Sequence, residues 1–311
     1  MNFPFILMII INYLMAMLAM AFYTLLERKC LGYYQLRKGP NKVGIGGLPQ
    51  PLADAAKLFT KEYTSPLPGN KTGFMAAPVV SLMLALILWS LYPYQAATFF
   101  MKFGLLLFLC ISSLNVYTIL AAGWSSNSKY ALLGAVRGVA QTISYEVSMA
   151  LILLAALCLT QSFNLNKIIM ESQTLPCLMM LPLMVAWFIT CLAETSRTPF
   201  DLAEGESELV SGFNVEYSGG GFALIFMAEY ANIIIMSLLT TAIFISTTTN
   251  IISSNISMPV KTTIISLIFI WIRASFPRIR YDHLMYFTWK SLLPLAIIFL
   301  FLNSALMIMI S

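Results

Sequence analysis

The sequence predicts an all-α polytopic membrane protein: one integral-membrane domain over residues 1–311, with about eight transmembrane helices and a short interfacial amphipathic helix. Three observations carry this expectation. The chain is 59% hydrophobic and only 10% charged, with a mean hydropathy of +0.82, whereas a soluble domain carries roughly 25% charged residues. Its apolar residues fall in long runs, each near the ~20 residues needed to cross the hydrocarbon core. The runs lack the apolar–polar alternation of a transmembrane β-barrel.

Eight runs are expected to span: Phe3–Leu26, Phe74–Tyr94, Phe99–Trp124, Val139–Leu159, Leu175–Ala193, Phe222–Ser246, Val260–Ile272 and Leu292–Ile310. The seventh is short unless it begins near Ile251 or continues to Ala274. Prolines stand near several ends (Pro78, Pro93, Pro176, Pro259), where a missing N–H is best tolerated. The loop after the first run is rich in glycine and proline up to Pro51, which indicates irregular backbone. Beyond it Leu52, Ala55, Ala56 and Phe59 recur at helical spacing, with Asp54, Lys57 and Lys61 on the opposite face. That pattern predicts a short amphipathic helix, either lying in the membrane interface or packed on the bundle surface.

Basic residues set the expected orientation. Arg28, Lys29, Arg37, Lys38, Lys42, Lys57, Lys61, Lys71, Lys129, Arg137, Arg197, Arg273, Arg278, Arg280 and Lys290 fall in the loops of one side, and only Lys102, Lys167 and Lys261 on the other. By the positive-inside rule the first set faces the negative compartment and both termini face away from it. The net charge of +5 therefore requires no nucleic-acid partner; basic loops can orient the chain, meet anionic lipid or dock a protein. A cleavable signal or Arg-rich transit peptide is not expected at the apolar N-terminus. The five cysteines form no CxxC pair and His283 is the lone histidine. No zinc, haem or iron–sulfur pattern and no phosphate-binding glycine loop is legible, so no flavin, cluster or metal is expected in this chain. The absence of an internal repeat weighs against an inverted-repeat transporter.

Carboxylates concentrate in one place. Glu194, Asp201, Glu204, Glu206, Glu208, Glu216 and Glu229 are seven of the thirteen acids, with Arg197 the one base among them. Glu146 lies about eight residues past the inner end of the fourth run, and Glu229 at similar depth in the sixth. At 1.5 Å per residue both lie about 10–12 Å below the inner surface. A carboxylate there costs several kcal/mol unless paired, hydrated or protonated. Each can be a structural contact between helices, protonated or paired. Two at matched depth beneath an acidic loop favour a hydrated proton path, because like charges held close raise one another's pKa.

The segments TLLERKCLGYYQLRKGPNKVG, QPLADAAKLFTKE, AGWSSNSKYALLGAVRGVAQTISYEVS, AETSRTPFDLAEGESELVSGFNVEY and FPRIRYDHLMYFTWK lie in order along nearly the whole chain. Together they resemble the subunit 1 family of mitochondrial NADH:ubiquinone oxidoreductase, respiratory complex I. Ser196 stands where that family usually has Asn, and Gly138 where Ala is usual. The outer loops and the stretch from Thr240 to Lys261 carry little of the resemblance.

The resemblance implies a membrane-arm subunit of a proton-translocating NADH:ubiquinone reductase, not catalytic alone. It implies that the chain docks the peripheral arm, which holds the flavin and clusters, and walls a ubiquinone tunnel. Arg28, Asp54, Phe226, Tyr230 and Arg278 are then expected near quinone. Glu146, Glu194, Asp201, Glu204, Glu206, Glu208, Glu216 and Glu229 are expected along the proton or coupling path, with Arg137 and Arg197 as basic partners. It also implies the mitochondrial inner membrane, with termini toward the intermembrane space. Two other readings remain open: a stand-alone proton-coupled transporter, and the homologous subunit of a membrane-bound hydrogenase-type complex.

Overall fold

The computed structural model describes residues 2–93, 101–171, 180–205, 209–246 and 251–310. The described residues fold into helices α1 (Asn2–Tyr34), α2 (Gln50–Thr60), α3 (Lys71–Trp89), α4 (Gly104–Ser126), α5 (Lys129–Thr160), α6 (Leu165–Glu171), α7 (Leu181–Glu194), α8 (Gly219–Phe244), α9 (Ile251–Ser275), α10 (Tyr281–Phe287) and α11 (Leu293–Ile310). Among them, seven helical stretches are long and apolar enough to cross a membrane: α1, α3, α4, α5, α8, α9, and α10 continued into α11.

Each expected span contains a helix, but several bounds move: the second ends at Trp89, the third begins at Gly104 and the sixth ends at Phe244. The fifth, expected over Leu175–Ala193, is described only as α7. Its 14 residues cover roughly 21 Å, and residues 175–179 lie outside the described residues. The first run extends well past Leu26, because nothing breaks the helix before Leu36. There a left-handed backbone (φ 57°) closes it, and the N–H of Arg37 donates to the carbonyl of Gly32 at 2.9 Å. The fourth begins ten residues before Val139, at an N-cap: Ser128 Oγ accepts from the N–H of Ala131 at 3.4 Å. The polar residues Lys129 and Arg137 hid that first segment from a hydropathy reading. The last begins at Tyr281 and passes through a π-helical turn, Thr288–Leu292. Pro294 follows this turn and has no N–H to donate to the carbonyl of Lys290, so the ladder widens there. The seventh is extended at both ends, beginning at Ile251 and continuing past Ala274 to Ser275.

Two helices organise the bundle. α5 packs against α4, α7 and α11, and α8 against α1, α2, α3 and α9. Lipid tails are as apolar as leucine, so close packing rather than a hydrophobic drive joins such helices. The fully buried Tyr145, Met149, Ile152 and Leu153 of α5 meet Leu183 and Trp187 of α7 in one core, which continues to Phe244 of α8. α2 forms as expected and packs on α1 and α8. Leu52 and Phe59 on its apolar side are each 58% exposed.

The loops expected on one side do meet there. The N–H of Asn70 donates to the carbonyl of Ser125 at 2.9 Å, and that of Ile279 to Pro199 at 3.1 Å. Thr64 and Ser218 hydroxyls share a hydrogen bond of 2.5 Å. The acidic loop after α7 folds back as a lid on this end. Tyr217 stacks on Phe74 with centroids 4.1 Å apart and donates to its carbonyl at 3.1 Å. Gly212 (φ 59°) lies so close to the loop's own backbone that a Cβ would sit 1.7 Å from the Ala203 carbonyl oxygen. A Cβ on Gly134 of α5 would sit 2.8 Å from both Gly212 Cα and Phe213 N.

Backbone-on-backbone contact of this kind cannot yield to a side chain. Gly134→Val should therefore displace the acidic loop, at the cost of about 1–3 kcal/mol or more typical of overpacking. The amount of assembled protein recovered from membranes should fall well below that of a surface control such as Val136→Ala. Wild-type recovery would contradict the contact.

Candidate functional site

α1, α8 and α9 converge at the loop-rich end, and the acidic loop lays Arg197 between them. Glu27, Arg197, Glu229, Tyr230 and Arg273 form one buried cluster. Side-chain exposures are 7% for Glu27, 11% for Arg197, 19% for Glu229 and 37% for Arg273. Tyr230 Oη donates to Glu27 Oε2 at 2.6 Å. Arg273 Nη1 donates to Glu27 Oε1 in a short hydrogen bond. Arg197 lies 3.9 Å from Glu27 through Nη1 and 3.8 Å from Glu229 through Nη2, and its guanidinium stands 4.6 Å above the Tyr230 ring. The Tyr23 ring meets that of Tyr230 edge-on at 5.9 Å, and Tyr23 Oη donates to the carbonyl of Ser266 at 3.0 Å, which ties α1 to α9.

Electrostatics follow from burial. Burial works against charge on Arg197, but Tyr230, Glu229 and Glu27 outweigh it and hold its pKa above the ordinary value. Glu204 adjoins Glu229 and accepts from Asn214 Nδ2 at 2.7 Å. Burial pushes the Glu204 carboxyl upward; contact with Glu229 and the charge of Arg197 pull it back only in part. Two carboxyls placed together near one cation can hold a proton between them.

A crevice with mostly apolar walls and several polar groups leaves this cluster. Glu229, Asn232, Asn115, Thr118, Ser196 and Glu194 line it between α3, α4 and α8. A smaller pocket again joins Glu194, Asn115 and Asn232. Beyond them Glu146 is the electrostatic neighbour of Glu194. The two glutamates expected at matched depth thus lie toward opposite ends of a line of polar groups. Neither meets the other directly.

The other expected residues fall as follows. Arg28 Nη1 donates to Asp54 Oδ2 at 2.5 Å, joining α1 to α2, and within α2 Gln50 Nε2 donates to Asp54 Oδ1 at 3.0 Å. This pair is substantially exposed (53% and 34%), so it adds little to stability. Arg278 Nη2 donates to Asp201 Oδ2 at 2.8 Å, pairing two residues expected at different tasks. Phe226 packs on Phe222, centroids 4.2 Å apart. Arg137 on α5 and Glu216 before α8 are half-buried. Glu206 and Glu208 lie outside the described residues.

Sequence reasoning missed Glu27 and Arg273 as members of the cluster. Both read as polar ends of hydrophobic runs, one beside the run of bases from Arg28, the other among orienting cations. A usable signal existed: Glu27 is an acid at the positive end of a span, where a lone carboxylate needs a partner. Asn115 and Asn232, amides inside long apolar helices, were equally overlooked. The two departures from the resembled family also acquire a physical meaning. Ser196 has φ 48°, a left-handed conformation that Asn adopts more readily. A Cβ on Gly138 would stand 3.0 Å from that of Ala203, so glycine here relaxes a tight contact.

Fold and site together define a polytopic helical membrane protein with a buried ion-pair network at its loop-rich end. Residues 6–304 match the family model described as NADH dehydrogenase. The chain is similar to NADH-ubiquinone oxidoreductase chain 1 of Aedes aegypti, 56% identical over 286 residues, covering 92% of this chain and 90% of that one. The protein of the same name from Heterololigo bleekeri is 55% identical over 287 residues (92% and 91%), and that of Trichosurus vulpecula 50% over 300 (94% of each). The chain belongs to the NADH dehydrogenase family of these chain 1 proteins.

Removing one partner from a fully buried ion pair typically costs about 3–5 kcal/mol, and less where solvent reaches the partner left behind. Glu27→Ala takes the nearest carboxylate from the part-exposed Arg273, leaves Arg197 with Glu229 alone and removes the acceptor of Tyr230, so it should lower the amount of assembled protein. Glu27→Gln keeps an acceptor oxygen and should be recovered in larger amount. Equal recovery of the two variants would show that Glu27 does not hold the cluster together.

Proposed function

We propose that the chain is a membrane-arm subunit of a proton-translocating NADH:ubiquinone oxidoreductase, in the mitochondrial inner membrane with both termini toward the intermembrane space. In this reading it is inert alone. Other subunits supply flavin, clusters and the remaining pump machinery, and this chain docks the peripheral arm, walls the ubiquinone tunnel and couples quinone reduction to proton movement.

The observation that carries the reading is the position of Arg197 between two carboxylates of different surroundings. Glu27 accepts a hydrogen bond from Tyr230, and the next residue on α1, Arg28, pairs with Asp54 of α2; in this reading these residues and Phe226 belong to the quinone side. Apolar walls with a few fixed polar groups suit a quinone headgroup and tail, and Arg278 with Asp201 adds a further charged pair near the same end. Glu229 faces the crevice toward Glu194 and, past it, Glu146. A change of charge on quinone alters the balance at Glu27, Arg197 redistributes between its partners, and the acids beyond respond by exchanging protons. In the same reading Glu204 and Glu216 belong to the coupling path with Arg137 as a further base, and Glu206 and Glu208 are assigned to it by the resemblance alone. Nothing in this scheme asks a side chain of this subunit for hydride or electron transfer. A self-sufficient transporter has no need of such a link.

Paired variants in the intact complex test it. Arg28→Ala and Glu229→Gln should each lower quinone reductase turnover several-fold. Electron transfer from NADH to an artificial acceptor upstream of quinone should stay intact, and so should complex content. Glu229→Asp, which keeps a titrating group, should retain more proton pumping than Glu229→Gln. Wild-type turnover and pumping in Glu229→Gln would overturn the coupling role, and turnover by the isolated subunit would overturn the subunit assignment.

A further inference from the structure

Gln141 is an amide in the middle of α5, completely shielded from solvent. Its Nε2 donates to the carbonyl of Ala193 at 2.9 Å and to that of Phe200 at 2.8 Å. The first, in the last turn of α7, also accepts from the N–H of Ser196 at 3.2 Å. The second lies beyond the turn that carries Arg197. One side chain therefore closes a bracket around residues 194–199. Two carbonyls facing the same terminal atom require it to be the NH₂, so the amide's orientation is determined by its partners.

The same face of α5 carries the rest of the loop. Gly134, Gly138, Gln141 and Tyr145 follow at i, i+4, i+7 and i+11, one stripe of the helix. Gly134 touches Gly212, Gly138 faces Ala203, and the Tyr145 ring packs on Phe200 with centroids 5.8 Å apart. Within the bracket, the N–H of Arg197 donates to the carbonyl of Leu192 at 3.2 Å, and that of Phe200 to Arg197 at 2.8 Å. These bonds are local to the turn; the Gln141 amide is what ties both of its ends to another helix.

We infer that Gln141 is a positioning residue: by holding Ala193 and Phe200 together it sets where Arg197 stands between Glu27 and Glu229. A guanidinium that contacts both carboxylates at 3.8–3.9 Å loses that balance if its turn shifts by a fraction of an ångström. This assignment rests on the coupling role given to Arg197 above. It makes a demand that ordinary core packing does not, namely two donated protons from position 141.

Three variants in the intact complex separate the possibilities. Gln141→Leu fills nearly the same volume with no donor. Gln141→Glu donates one hydrogen bond while protonated and none when ionised. Arg197→Gln reports on the reading beneath. Quinone reductase turnover is measured across the neutral pH range, normalised to complex content and to electron transfer into an upstream acceptor.

Gln141→Leu should lose turnover by about tenfold, a rise of ~1.4 kcal/mol in the barrier as Arg197 leaves its balanced position, with the upstream reaction preserved. Gln141→Glu should be more active than Gln141→Leu at the acid end and lose that advantage as pH rises. The neighbouring titratable and charged groups are Arg137, Tyr145 and Glu146 on α5, Cys191 and Glu194 on α7, and Arg197 and Asp201 in the loop. All are shared with wild type, so the difference between the two pH profiles belongs to the added carboxyl.

Wild-type turnover in Gln141→Leu beside an impaired Arg197→Gln would overturn the positioning role alone. Should Gln141→Leu fail to assemble, a Gln141→Glu profile parallel to wild type would overturn it equally. Normal turnover in Arg197→Gln would overturn the coupling reading and the inference with it.

Discussion

The loop-rich end of this protein depends on one buried guanidinium. A charge withdrawn from water costs several kcal/mol unless opposite charge and hydrogen bonds replace the solvent. Arg197 meets the demand for opposite charge with Glu27 from α1 and Glu229 from α8, and stands over the Tyr230 ring, although its Nε and Nη2 make no hydrogen bond among the described residues; Arg273 from α9 completes the balance at Glu27. Three spans and the acidic loop are thereby tied at one point. The close backbone contacts of α5 with the loop, and the stacking of Tyr217 on Phe74, place the loop so that the guanidinium arrives there.

That arrangement is a balance rather than a locked pair. Arg197 lies at nearly equal distance from its two carboxylates and at direct hydrogen-bond length from neither. Glu27 has two closer partners, Tyr230 and Arg273, whereas Glu229 stands against another acid, Glu204. Protonation at one carboxylate therefore shifts the attraction of Arg197 toward the other. In the proposed function this is the physical link between the quinone side and the crevice lined by Asn115, Asn232 and Glu194. It needs no long-range motion, only a change of charge at one end of a contiguous polar network.

Hydropathy made the fold class and the helical runs legible, because a membrane forces backbone polar groups into helices. It blurred the bounds wherever a helix continues into polar sequence, as at Lys129 and beyond Leu26, and it had no signal for the widened turn before Pro294. The acidic cluster was legible as an anomaly of charge in an apolar chain, and Arg197 as its base. The pairing of Arg28 with Asp54 and of Arg278 with Asp201 was not, since each joins residues distant in sequence. Glu27 and Arg273 escaped for a related reason. Each looks like an ordinary boundary residue on its own helix, and only the convergence of α1 with α9 makes them a pair. Gln141 gives no sequence signal of its role, because a lone amide in a span does not reveal which carbonyls it meets.

The central claim is that Glu27 and Glu229 act through a shared Arg197. A double-mutant cycle measures this directly: quinone reductase turnover of the intact complex carrying Glu27→Gln, Glu229→Gln, or both. Distant independent sites add within about 0.3–0.5 kcal/mol. A shared Arg197 should give a coupling clearly beyond that, with the double variant little worse than the poorer single one. Strict additivity of the two effects would contradict it.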